Sequence, residues 1–353
     1  MSGTLPSTFR AAIVNEPGHT AAYGAKPDEV RPVKFTITDV PLKAPEHGQV
    51  LVKVIASGIC GSDVHILNGQ VGSQFPHVSG HEIIGEVAAI PATEDHWKVG
   101  DRVGGGWHGG HCFFCTQCKR GQFQLCQTEA INGVTMWGGL AEYVLLRREA
   151  LASVPTDVDP AIYAPILCAG VTVFNSLRNM GIRHGGTVAI VGVGGLGHLA
   201  VQYAANMGYK VIAIGRDPSK RDESIKFGAT EYIDKNQNAV EVLQKNGGAD
   251  CIVVTANSGS LMTQLQAGLT RGGTLLALSL VGPTAFDTNT LITQQLQVRG
   301  WPSGTPIDAE EAIDFAKNFD VHCVVQKFPL DRIQEAYDTI DNGTVRYRSV
   351  VIM

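Results

Sequence analysis

The sequence predicts an α/β protein of two domains: a β-rich one, then one built on a doubly wound parallel sheet, with the tail returning to the first. Three observations carry this. At 353 residues the chain exceeds what a single core ordinarily supports. From Phe35 to Val103, short β-branched runs such as Val50 to Ile55 are punctuated by Gly and Pro, the texture of an all-β region. From Thr187 onward, apolar runs alternate with amphipathic segments, as a doubly wound sheet requires.

In chain order, the stretch Gly104 to Gly121 follows the β-rich part and carries Gly, Cys and His without periodicity. It reads as a loop ordered by something other than its own packing, and a metal would supply that order. The second part contains six candidate strands, at Thr187–Val191, Lys210–Gly215, Glu231–Ile233, Asp250–Thr255, Thr274–Leu280 and Gln297–Trp301. Candidate helices fall between them at Leu196–Met207, Lys220–Phe227, Val240–Asn246 and Leu261–Leu269. Helices near Ala309–Lys317 and Leu330–Ile340 and a strand at Arg348–Ile352 break this rhythm and read as the return. The domains are placed at 1–167, 168–301 and 302–353.

Composition narrows the function. Hydrophobic residues are 44% and charged residues 17%, a globular balance. A formal net charge of -5 offers no footprint for nucleic acid or an anionic membrane, so small molecules are the expected partners. No apolar run reaches the roughly 20 residues that span a bilayer, and Met1 to Arg10 lacks a secretory apolar core, so a cytoplasmic location is expected. Eight cysteines in such a chain point to metal ligation or isolated thiols rather than a disulfide framework.

The strand Thr187–Val191 runs into Gly192-Val-Gly194-Gly195-Leu196-Gly197 and then a helix. The first glycine permits a tight turn, the second lets the backbone approach a pyrophosphate, and the third lets the helix pack on the strand. A lone motif of this kind is weak, but here it opens six βα-like units, which makes it a dinucleotide site. The second strand ends at Gly215, where a carboxylate would read a ribose diol, and Arg216 and Lys220 follow. Room and positive charge favour NADP(H) over NAD(H). Asp217 is the counterweight, since a small shift of the loop lets it take the ribose hydroxyls, and the bland reading of Arg216 is a solvated surface charge.

Cys112, Cys115, Cys118 and Cys126 place four thiols in one loop, the set that closes a tetrahedral structural Zn²⁺ site. The gap before Cys126 does not fit a ferredoxin run. Further ligand types occur in Cys60-Gly-Ser62-Asp63-Val-His65, in His81-Glu82 and at Cys168. Singly, each reads as core or surface.

Taken together and in this order, these motifs resemble the zinc-containing alcohol dehydrogenases of the medium-chain dehydrogenase/reductase superfamily, closest to the yeast type, over nearly the whole chain. The resemblance implies a GroES-like β-rich catalytic domain holding both zinc sites and a Rossmann dinucleotide domain. It implies two Zn²⁺ per subunit, with Cys60, His81 and Cys168 holding the catalytic ion and Glu82, water or substrate at the fourth position. It further implies that Asp63 orients His81, that Ser62 and His65 relay the proton, that Thr172 contacts the nicotinamide, and that Arg348 binds pyrophosphate. Trp107 matches a bulky residue that narrows the substrate pocket, and Trp301 is a second candidate for that space. A homodimer or homotetramer is implied by analogy.

The chain departs from the pattern at Gly61, where relatives carry a basic residue, at Pro91, where they carry glycine, and in the longer segment from Asn15 to Phe35. The expected function is hydride transfer between a nicotinamide dinucleotide and an alcohol or aldehyde carbon. A reductase of a conjugated aldehyde, enone or iminium is the alternative, against which the complete Ser62 and His65 relay argues. A non-catalytic zinc or nucleotide-binding protein of the same fold is the third reading, against which the full ligand set argues.

Overall fold

The structure, a computed structural model, describes residues 5–19, 26 and 28–353. Residues 20–25 and 27 of the Asn15 to Phe35 segment, and residues 1–4 of the opening stretch, lie outside the described residues. Two compact units are present: Met1–Val171 with Gly304–Asp314 and His322–Met353, and Thr172–Ser303 with Phe315–Val321.

The second unit is a six-stranded parallel sheet. Its strands in chain order are Thr187–Val191, Lys210–Ile214, Glu231–Ile233, Ala249–Val254, Leu269–Ala277 and Gln297–Gly300, and across the sheet they run third, second, first, fourth, fifth, sixth. The order reverses beside Thr187–Val191, and ligands of such sheets bind at the carboxyl ends of strands at that reversal. All five residues of this strand are buried, which is why it reads as an unbroken apolar run. Each fully buried Val or Ile there contributes about 1.5–3 kcal/mol of burial free energy. The helices Gly197–Asn206, Arg221–Lys226, Ala239–Lys245 and Gly259–Leu265 connect the strands. A further helix, Thr288–Gln294, forms where sequence reading placed none. None of its residues is buried, so it has no apolar stripe to read, but Asp287 caps it by accepting from the amides of Asn289 and Thr290.

The first unit centres on a seven-stranded sheet ordered Val325–Pro329, Arg348–Ile352, Gln49–Ile59, Glu82–Ala89, Arg102–Gly105, Leu151–Ser153, with Tyr143–Arg147 also paired to Gln49–Ile59. Upstream of the region read as β-rich, Thr8–Val14 forms a two-stranded antiparallel sheet with Phe35–Pro41. The tail strand lies antiparallel to the central one, with Ser349 opposite Ile59 and Ile352 opposite Ala56. This pairing sets Arg348 beside the end of the strand that leads into Cys60.

The stretch Gly104 to Gly121, read as loop, contains small elements. Arg102–Gly105 ends within it, His108–Gly110 pairs with Ala130–Ile131, and Thr116–Lys119 is a single helical turn. Such short pieces leave no periodicity in the sequence. Among the described residues no single helix is long and apolar enough to cross a membrane.

Candidate active site

Three element ends in the first unit converge on one buried point. Cys60 follows the strand Gln49–Ile59 and is the N-cap of the helix Gly61–Leu67, His81 directly precedes the strand Glu82–Ala89, and Cys168 follows the turn Ala164–Leu167. One ligand atom from each of Cys60, His81, Glu82 and Cys168 lies within 4.8 Å of the others, and all four residues are buried. The two sulfurs are 3.9 Å apart and both thiols are free, so no disulfide joins them. Neither nitrogen of the fully buried His81 ring has a hydrogen-bond partner. Two thiols, an imidazole with no hydrogen-bond partner and a carboxylate in one buried cluster are the donor set of a catalytic zinc site, so the residues fit that ion.

Asp63 organises this point. One carboxylate oxygen accepts from Ser79 Oγ at 2.6 Å and the Gly80 amide at 3.0 Å, and the other accepts from the Cys60 amide at 2.8 Å. The first oxygen also lies 3.4 Å from His81 Nδ1, in ion-pair range without an aligned hydrogen bond. Burial works against a charged His81, but the Asp63 carboxylate holds its pKa well above the usual histidine range. The hydrogen bond between the thiols keeps Cys60 well below the ordinary thiol range and pushes Cys168 up.

Glu82 and Arg348 form a buried ion pair, Nη1 to Oε1 at 3.1 Å. Burial pushes Glu82 up to about 8 against the pull of Arg348. Arg348 also donates to the Ile59 carbonyl at 3.3 Å, while its Nε and Nη2 have no partner. Gly58 makes room for this pair. A Cβ there would sit 2.0 Å from Glu82 Oε2. Sequence reading missed Gly58, although it lies directly opposite Glu82 in the antiparallel register.

Ser62 and His65 lie on the helix Gly61–Leu67, one turn apart on the same side. Ser62 Oγ is 3.6 Å from Cys60 Sγ in hydrogen-bonding geometry. His65 is half-buried, and its Nδ1 meets Gln70 Oε1 at 2.7 Å, a partner not singled out from sequence. Trp107 stands edge-on to His81, with ring centroids 4.9 Å apart. Gly61 opens the same helix, with nothing within 4 Å of where its Cβ would be.

Cys112, Cys115, Cys118 and Cys126 form the second cluster, their sulfurs within 4.8 Å of one another and all free. The amides of Phe114 and Cys115 donate to Cys112 Sγ, and that of Cys112 to Cys126 Sγ, at 3.3–3.4 Å. Amide donors from Cys118 and Gln127 pull Cys115 down to about 6. Phe113, between Cys112 and Phe114, takes the left-handed conformation at φ 64°. Burial and the neighbouring sulfurs push Cys118 up to about 12, the opposite way, and four sulfurs this close together fit a closed tetrahedral zinc site. Sequence reading also missed the support beneath it. Glu129 meets His108 Nδ1 at 2.6 Å, His108 Nε2 meets His111 Nδ1 at 3.0 Å, and His111 stacks on Phe123.

In the second unit, the glycines after Val191 divide three tasks. Gly192 has φ +93°, Gly194 has nothing within 4 Å of its Cβ direction, and a Cβ on Gly197 would sit 1.8 Å from the Gly192 carbonyl. Gly195 and Leu196 complete the turn, and the helix Gly197–Asn206 begins there with its N-terminal amides toward it. Thr255 Oγ1 donates to the Gly192 carbonyl at 2.7 Å, a brace with no sequence signal beyond its place at a strand end. Thr172 is half-buried in the helix Ala169–Arg178. Arg299 lies over the Trp301 ring at 5.6 Å.

The loop after Lys210–Ile214 has no carboxylate at Gly215. Arg216 is exposed, and Lys220 Nζ donates to the Val193 carbonyl of the glycine turn at 2.7 Å. Both Asp217 oxygens are engaged by Ser219, one by its amide at 2.9 Å and the other by its hydroxyl at 2.8 Å.

The chain matches two family models, the alcohol dehydrogenase GroES-like domain over residues 46–156 and the zinc-binding dehydrogenase over residues 195–318. It is 46% identical to "Alcohol dehydrogenase notN" of Aspergillus sp. (strain MF297-2), over 99% of each chain. Among solved structures, it is similar to acetophenone reductase from Geotrichum candidum in complex with NAD, at TM-score 0.84 and 26% identity over 99% of each chain. It is similar also to a zinc-binding dehydrogenase from Sinorhizobium meliloti bound to NADP, at TM-score 0.86 and 26% identity over 99% of this chain and 100% of that one.

Proposed function

The chain belongs to the zinc-type alcohol dehydrogenases of the medium-chain superfamily, and on that premise we propose that it interconverts a small alcohol and its aldehyde or ketone, with NADP(H) preferred to NAD(H). The observation that carries this reading is the buried meeting of Cys60, His81 and Cys168, with Glu82 beside them. One Zn²⁺ is assigned there and a second, structural one to Cys112, Cys115, Cys118 and Cys126.

When bound, the zinc ion supplies Lewis acidity at the substrate oxygen and the nicotinamide exchanges the hydride. The chain's residues do the rest. Cys60, His81 and Cys168 would hold the ion with Glu82, water or substrate at the fourth position, and Asp63 fixes the loop that carries His81. Ser62 Oγ takes the alcohol proton as it gives up its own hydroxyl proton, which would reach His65, half-exposed and held by Gln70, by way of the ribose of a bound nucleotide, and so pass to solvent. Trp107 packed against His81 narrows the space beside the cluster, which suits a slender substrate. Gly192, Gly194, Gly195, Leu196 and Gly197 cradle the pyrophosphate, Thr172 contacts the nicotinamide, and Arg348 remains a candidate for a phosphate contact through its unpartnered Nη2.

The preference for NADP(H) is supported by the absence of a carboxylate at Gly215, by the engagement of Asp217 with Ser219, and by Arg216 and Lys220 beside them. A homodimer or homotetramer is part of the proposal. The exposed edge strand Gln297–Gly300 suits sheet extension between copies.

The test follows nicotinamide absorbance with zinc-replete protein, NADPH and NADH being offered in parallel with aliphatic, aromatic and conjugated aldehydes. Turnover favouring NADPH is expected. Equal or better turnover with NADH overturns the cofactor assignment, and no turnover with either nucleotide overturns the activity.

A further inference from the structure

The loop that ends the second strand of the parallel sheet is wrapped around one buried hydroxyl. Tyr232 lies in the strand Glu231–Ile233, paired opposite Ala213, and is fully buried. Its hydroxyl donates to the Asp217 carbonyl at 2.6 Å. A Cβ on Gly215 would lie 2.3 Å from the Tyr232 hydroxyl oxygen and 3.1 Å from Tyr232 Cζ. Arg221 lies over the ring, 5.5 Å from its centroid, and pairs with Asp234 at 3.2 Å. The ring is therefore held in place.

We infer that Tyr232 is a specificity-determining residue for the nucleotide, because its hydroxyl fills the volume that any side chain at position 215 needs. With Tyr232 present, position 215 accepts only glycine, and a carboxylate able to take both ribose hydroxyls has no place at the strand end. The same hydroxyl fixes the backbone of Asp217 in the conformation in which its carboxylate turns to Ser219. One buried group thus removes both acidic readers of a 2′,3′-diol and leaves the site to Arg216 and Lys220. A 2′-phosphate is the ligand this suits. The inference rests on the reading of the glycine turn as a dinucleotide site, but not on which nucleotide the unaltered protein prefers.

The experiment compares four full-length, zinc-replete proteins: unaltered, Gly215→Asp, Tyr232→Phe, and the double variant. NADPH and NADH are titrated by tryptophan fluorescence, and thermal midpoints are recorded. Gly215→Asp alone is expected to lower the midpoint and to weaken both nucleotides, because the loop must move. Tyr232→Phe alone, which releases the Asp217 backbone but adds no carboxylate at position 215, is expected to shift the NADH-to-NADPH Kd ratio toward NADH by less than the double variant does. The double variant recovers the midpoint and shifts the NADH-to-NADPH Kd ratio toward NADH by about tenfold or more. Gly215→Ala, made in both backgrounds, poses the steric question without a charge and is expected to lower the midpoint only where the hydroxyl is present. The inference is overturned if Gly215→Asp alone binds NADH as well as the double variant does, or if Gly215→Ala is equally tolerated in both backgrounds. A preference of the unaltered protein for NADH contradicts the proposed cofactor and leaves these comparisons intact.

Discussion

Arg348 Nη1 lies 3.1 Å from Glu82 Oε1, and both side chains are buried. Arg348 reaches this position because the tail strand pairs with the strand that ends at Ile59. Burial already raises Glu82 to about 8, so without Arg348 its carboxyl takes up a proton rather than standing as an uncompensated charge, and what is lost is a buried polar contact worth about 1–3 kcal/mol. Arg348→Leu is therefore expected to lower stability by about that amount, measured by urea unfolding. A loss below about 1 kcal/mol, the range of exposed pairs, contradicts the pairing.

Gly58 is predicted to tolerate no side chain, since a Cβ there would meet Glu82 Oε2 at 2.0 Å. Gly58→Ala pushes the carboxylate off Arg348 and weakens metal retention at the buried cluster. Competition with a chelator reads this directly, and an unchanged rate of metal loss refutes it.

Asp63 holds Cys60, Ser79 and Gly80 at once. Asp63→Asn keeps the shape but replaces an acceptor oxygen with a donor, so metal affinity or turnover is expected to fall about 10–100-fold. Full retention of both contradicts its role.

For the proton path, Ser62→Ala is expected to slow turnover by about 10²-fold while NADPH affinity, measured by fluorescence, stays constant. His65→Gln slows it less, because His65 is half-exposed and solvent reaches its position. Equal kcat in both variants and the unaltered protein removes the relay from the mechanism.

Cys115→Ser is expected to reduce metal from about two equivalents per chain to about one and to lower the thermal midpoint, because a structural site contributes its binding energy to folding. Unchanged metal content excludes the four-sulfur site.

Much of the sheet was legible because its order is local. The strand Thr187–Val191, its glycines and the helix after them are contiguous, and each glycine answers a backbone demand within the same turn. The four-cysteine cluster was legible for the same reason. The helix Thr288–Gln294 was not, since it buries nothing, although Asp287 two residues before Asn289 was an available cap signal. Thr8–Val14 was overlooked as a strand because its partner, Phe35–Pro41, lies well downstream. What sequence could not give was apposition across the fold. Arg348 against Glu82, Gly58 beneath that pair, and Tyr232 under Gly215 depend on which strands become neighbours, and no spacing encodes them.

The decisive measurement is aldehyde reduction by Cys168→Ser protein, taken together with its metal content and its NADPH affinity. Loss of about one metal equivalent, intact NADPH binding and abolished turnover are expected if the ion at Cys60, His81 and Cys168 is the catalytic one. Turnover that persists after that equivalent is lost would contradict it.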